Sequence, residues 1–177
     1  MRRGRYDVAG DIAAAMHDRA RVTGERRLEK LPFHVMASIA RLSGDLPAAR
    51  RAFEESVALH SELSDAAGVA MEQLNLTHVE LDLGNVARAR QLFDASRRYL
   101  VAAGDSASLL PALALLSAVL AEHDGQVTTA ARRLGAVDES MTAVGKVLDP
   151  DDALVRDGLS ERLAVAMGGS GLRHRLR

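Results

Sequence analysis

"GDLPAARRAF" occupies residues 44–53, "GNVARARQLF" residues 84–93 and "GQVTTAARRL" residues 125–134. The three segments share one register. With Gly4, Gly44, Gly84 and Gly125 as origins, the spacings are 40, 40 and 41 residues. Two residues after each glycine stands Tyr6, Leu46, Val86 or Val127. Five after stands alanine every time: Ala9, Ala49, Ala89, Ala130. Nine after stands Ala13, Phe53, Phe93 or Leu134. Offsets of two, five and nine differ by three and four, so these residues lie on one face of a helix. The glycine ahead of them suits a tight turn, where positive φ costs nothing without a Cβ. The repeated alanine predicts a close crossing of two helices. The larger residue one turn further fills the gap beyond that crossing.

A second amphipathic stretch precedes each of the last three glycines: "FHVMASIARLS", "VAMEQLNLTHVELDL" and "PALALLSAVLAEHD". Each unit therefore reads as helix, short turn, helix. One helical hairpin cannot bury its own apolar face, so a period of this length built from hairpins predicts a stacked array. Composition agrees: aromatics are only 3% while Ala, Leu and Arg abound, which favours helix over strand. Cysteine is absent, which excludes disulfides and thiolate metal sites and fits a cytoplasmic protein. The net charge of −1 gives no bulk attraction to nucleic acid or anionic lipid. The most apolar stretch, "LLPALALLSAVLA" at 109–121, is too short to cross a bilayer and reads as a buried helix. The basic N-terminus lacks a continuous apolar run, so no signal peptide is expected.

Phe33, Met36, Ala37, Gly44, Ala49 and Phe53 resemble the tetratricopeptide repeat. So do Leu76, Gly84, Ala89 and Phe93, and Ala118, Gly125 and Ala130, over roughly residues 4–137. Gln73 and Thr77 depart from that pattern, and Leu134 replaces its aromatic. The longer repeat and "LSDAAGVAMEQLNL" resemble the helical arrays of large bacterial regulatory ATPases of the LuxR and antibiotic-regulator kinds. The 21 arginines against 2 lysines suit a high-GC genome. No phosphate-binding loop and no helix-turn-helix pattern accompany the repeats.

The resemblance implies an all-α fold: a right-handed α-solenoid of helical hairpins with a C-terminal capping helix. A half unit would cover residues 4–22, with units at about 30–63, 66–103 and 107–145. The capping helix is expected over 149–168, with Asp149 as N-cap, Pro150 at the first helical position and Asp151 and Asp152 beside the positive end of the dipole. Val155, Leu159, Leu163 and Met167 run down one side of it. Residues 169–177 read as a loose basic tail.

The resemblance also implies that the first helix of each unit lines a concave groove. That lining would be His34, Ser38 and Arg41, then Leu74, His78 and Leu81, then Leu115, Val119 and Glu122. It grades from polar to apolar, which suits the nonpolar side of an amphipathic helix. At the third unit two readings stand side by side: an open groove, or a capping helix folded back over Leu115 and Val119. At the second unit an open groove is favoured. The expected function is a non-enzymatic, regulatory protein-interaction scaffold that takes a protein or peptide partner. A homodimer through the N-terminal half unit, or the detached arm of a transcriptional regulator, are the alternatives.

No catalytic constellation competes with that reading. The six histidines form no His-x-x-x-His or Glu-x-x-His pair, so no metal or other cofactor is expected. "GGSGL" puts Leu172 where a nucleophile elbow needs glycine, so Ser170 reads as linker. Asp45, Asp65 and Asp105 suit helix caps better than acids. The arginine pairs Arg50–Arg51, Arg88–Arg90, Arg97–Arg98 and Arg132–Arg133 are interspersed with Glu54, Glu55, Asp94 and Glu139. Pairing within a solvated helix face accounts for them better than nucleic-acid binding.

Overall fold

The computed structural model describes residues 3–103, 110–143, 147–148 and 150–168. The helices are α1 (Arg3–Thr23), α2 (Lys30–Leu42), α3 (Leu46–Glu62), α4 (Ala66–Asp82), α5 (Val86–Ala103), α6 (Leu110–His123), α7 (Val127–Ala143) and α8 (Pro150–Ala166). One 3₁₀ turn, Arg26–Glu29, joins α1 to α2. No strand occurs among the described residues. Asp105, Asp149, Ser170 and the tail 169–177 lie outside them. The chain divides into two compact units, residues 1–102 and 103–177.

In the first unit α1 packs on α2, α2 on α3 and α3 on α4. The link from α4 to α5 is visible at Ser96, whose hydroxyl donates to the Ala70 carbonyl at 2.9 Å. The core gathers Ala37, Ala49, Phe53, Leu76, Val79 and Leu92 from four helices. The repeated alanine sits where close crossing requires it: Ala49, Ala89 and Ala130 are all fully buried. In the second unit α6 and α7 form a hairpin, and α8 lies against both. Leu159 and Leu163 of α8 are fully buried. Arg156 Nε donates to Asp138 Oδ1 of α7 at 3.0 Å, and Arg162 forks onto Glu122 of α6 at 2.6 and 2.9 Å.

The turns explain the register. Gly44, Gly84 and Gly125 have φ of 82°, 79° and 70°, as the sequence predicts. Each ends its helix with the same pair of bonds. Gly44 N–H donates to Arg41 and Asp45 N–H to Ala40. Gly84 N–H donates to Leu81 and Asn85 N–H to Glu80. Gly125 N–H donates to Glu122 and Gln126 N–H to Ala121. These bonds satisfy the last carbonyls of the helix. The next helix then starts at once, with the Asp45 carboxylate accepting from Ala48 N–H at 3.0 Å. The same pair of bonds closes α3 at Ser64, where φ is 55°; α1 ends at Gly24 with φ of 70° and the first bond alone, while the Thr23 hydroxyl donates to the Ala20 carbonyl. From Gly24 to Gly84 left-handed turns therefore recur every 20 residues, after single helices, and not only within the 40-residue units. Ser64 hides this in the sequence because it fills a glycine-type position without being glycine.

Candidate functional site

The densest polar arrangement in the first unit lies where α2, α3 and α4 meet. Glu72, almost fully buried on α4, has its Oε1 3.0 Å from His34 Nδ1 on α2 and 3.9 Å from His60 Nε2 on α3. Asn75 donates to Glu72 Oε2 at 3.2 Å. The other ring nitrogen of His60 lies 2.9 Å from Asp65 Oδ2, and Lys30 of α2 pairs with the same carboxylate oxygen. Asp65 Oδ1 caps α4 by accepting from Gly68 N–H at 2.9 Å. The Lys30 ammonium, followed by the Gly68 amide and helped by His60, holds the Asp65 carboxyl well below the usual carboxylate range against the opposing effect of burial.

Gly68 makes this cluster possible. A Cβ on residue 68 would fall 1.7 Å from His60 Nδ1. Only a glycine in the first turn of α4 lets the imidazole lie against the backbone and reach both carboxylates. Further along, Arg50 of α3 pairs with buried Glu80 at 2.8 Å, and Asn85 donates to the same oxygen at 2.8 Å. Arg41 of α2 lies 3.5 Å from Asp82. His78, buried between them, has its pKa lowered to about 3, first by burial and then by the charge of Arg41.

The residues expected to line a groove are placed differently. Leu74, His78 and Leu81 are buried, as are Leu115 and Val119. These five are core side chains and give no accessible lining. The physical reason is visible in α4 itself, where Leu76, Thr77, His78, Val79, Glu80 and Leu81 are all buried in succession. The second half of α4, enclosed on every side, has no face left for a groove. At the third hairpin Glu122 is taken by Arg162, and α8 lies against α6, so of the two readings the folded-back capping helix fits. His34, Ser38 and Arg41 are part-buried, with His34 and Arg41 held by Glu72 and Asp82.

Other expectations fare unevenly. Asp45 and Asp65 do cap helices. Of these arginines, Arg50 reaches Glu80 on another helix and Arg133 donates to the Ser117 carbonyl at 2.8 Å, while Arg97 and Asp94 lie 3.7 Å apart on one helix. The meeting of His34, His60 and Glu72 has no spacing signature, because its members sit on three helices. Its one sequence trace is Gly68, a helix-breaking residue three positions after a capping aspartate. No group of three or more metal-ligating side chains among the described residues is arranged to hold a metal ion. No described helix is long and apolar enough to cross a membrane.

Depressions on the first unit include two formed by described residues. One, of ≈ 660 Å³, is wide and of mixed polarity, and includes Arg50, Glu54, Val86 and Arg88. The other, of ≈ 400 Å³, lies between the α3–α4 turn and α5. Val69 and Ala70 form its apolar part, Tyr99 stands beside them, and Ser61 and Gln73 supply polar groups. Comparison of the chain with known protein families, with curated proteins and with solved structures finds no match.

Proposed function

We propose that the chain is a non-enzymatic protein-interaction scaffold that takes an apolar side chain of a peptide partner in the cleft beside Tyr99. The observation that carries this reading is the cleft: an apolar recess with a few polar groups at its edge, set between the α3–α4 turn and α5. An aliphatic or aromatic anchor would lie on Val69 and Ala70. The peptide backbone would hydrogen-bond to Gln73, Ser61 or the Tyr99 hydroxyl. The titratable groups nearby support a structural role, since Asp65, His60 and Glu72 are spent on one another and on helix capping. A regulatory role, a cytoplasmic setting and right-handed stacking of the hairpins belong to the same proposal, on the strength of the resemblance to tetratricopeptide arrays.

Peptide-display selection on the purified chain tests it, followed by fluorescence anisotropy of a selected peptide. Tyr99→Ala and Ser61→Arg are each expected to weaken binding about tenfold or more with helicity unchanged. A selection without enrichment, or equal binding by both variants, refutes the cleft.

A further inference from the structure

At Met16 the outer face of α1 differs from the equivalent positions of the later helices. The register that puts Met16 twelve residues after Gly4 puts Ser56, Ser96 and Val137 twelve residues after Gly44, Gly84 and Gly125. Those three are fully buried, whereas Met16 is 40% exposed. In α5 the cover is the first helix of its own hairpin, since Ser96 bonds to α4. No such helix precedes α1 among the described residues. Ile12 and Val8, one and two turns back, are 56% and 58% exposed, and Val22 further on is 83% exposed. At 100° per residue these four side chains fall within an arc of roughly 120°. The opposite side, with Ala13 and Ala20, is buried. An apolar stripe on α1, interrupted by Arg19, is thus exposed.

The charges on this stripe specify what fits it. Exposed Asp7 and Asp11 lie in the first half of α1, and exposed Arg19 and Arg21 in the second. Arg19 falls in the middle of the stripe. A parallel copy would oppose Arg19 with Arg19. An antiparallel copy, centred on Ala15, opposes Arg19 with Asp11 and Val8 with Val22. It also opposes the two helix dipoles head to tail. Ala15 at the centre is small enough for close approach, and Ile12 and Met16 flank it. Asp18 lies at the edge of the stripe, three residues before Arg21 on the same helix.

We propose that a second copy of this chain docks on this face, the two α1 helices crossing antiparallel about a two-fold axis at Ala15. The contact is isologous, so each Asp11–Arg19 pair occurs twice. It is independent of the cleft beside Tyr99 and stands or falls without it.

Sedimentation equilibrium of the full chain over a micromolar range is expected to show a reversible monomer–dimer equilibrium. Ile12→Asp, at an exposed site that leaves the core intact, weakens the dimer about 30-fold or more while circular dichroism stays unchanged. Asp11→Arg and Arg19→Asp each weaken it, and the double variant restores it by reversing the pair. The chain has no cysteine, so single introduced thiols report register cleanly. Ala15→Cys cross-links to itself on oxidation. Val8→Cys does not, because its two copies stand about 21 Å apart along the helix axis. A monomer at every concentration overturns the proposal and leaves this face to another protein. So does a dimer indifferent to Ile12→Asp, or cross-linking of Val8→Cys in preference to Ala15→Cys.

Discussion

Helix α4 is held by two unlike contacts. Leu76 and Val79 join Phe53 of α3, Leu92 of α5 and the small Ala37 and Ala49 in a purely apolar cluster. Glu72 and Asp65, near its other end, meet His34, His60 and Lys30 through hydrogen bonds and ion pairs. The two contacts touch at one place, where the His34 ring lies edge-on to Phe53 with centroids 6.3 Å apart. Burial of apolar surface has no preferred direction, whereas a hydrogen bond has a distance and an angle. The apolar cluster drives α4 into the centre of the unit. The polar one fixes which residue of α2 and α3 it meets there, because a slip of one residue would leave Glu72 buried and unpaired, which is costly.

The largest effect is expected from breaking the apolar side. Phe53→Ala removes the largest buried side chain of the cluster and should cost about 3–5 kcal/mol in denaturant unfolding. Leu74→Asp belongs to the same class: with Leu74 in the core, a buried charge there should unfold the unit and not merely spoil an interface. The polar side is broken most directly at Gly68. Gly68→Ala drives a methyl into the His60 ring and should cost about 3 kcal/mol, near the top of the range for overpacking. Adding His60→Ala to it should recover part of that loss. A double-mutant cycle showing strict additivity would separate the two residues and contradict the geometry.

Helix α4 also carries a pH response at His78. His78 resists protonation in the folded chain down to about pH 3, while an unfolded histidine takes up its proton near pH 6.5. Between those values the unfolded state binds the extra proton. Stability from this group is therefore complete above about pH 6.5 and falls as the pH drops, by about 1.4 kcal/mol per unit. From pH 7 to pH 5 the loss should be about 2 kcal/mol, and His78→Gln should flatten it. The lowered pKa of Asp65 does not enter this window. Its contribution is present above about pH 4, the unfolded value, and is lost only in stronger acid. The smallest expected effect is a gain. Ser64 holds φ of 55° at a place where the neighbouring turns use glycine. Ser64→Gly should stabilise the chain by roughly 1 kcal/mol, read as a raised unfolding midpoint.

Much of this architecture can be read in the residues. The 40-residue phrase places the helices of all three hairpins, the positive φ of Gly44, Gly84 and Gly125, and the buried Ala49, Ala89 and Ala130. Each of these is a local property, or a pattern repeated along one helix. The groove assignment fails for the opposite reason. Whether Leu74 or Leu115 faces an opening depends on what covers it, and an apolar residue looks the same in a core as in a groove. The polar cluster escapes notice because His34, His60 and Glu72 are 26 and 12 residues apart and share no helix face.

Where helices start and stop is written locally in the residues, since capping and left-handed turns involve only residues within one turn of each other. So is the face of each helix that goes inward, because side-chain periodicity is fixed by the backbone. What fills each inward face was decided only on folding: α4 is enclosed from Leu76 to Leu81, α8 lies against α6, and Val8, Ile12 and Met16 of α1 stay exposed. Enclosure is set by which helices come to lie side by side, and residues far apart in the chain carry no local mark of that meeting.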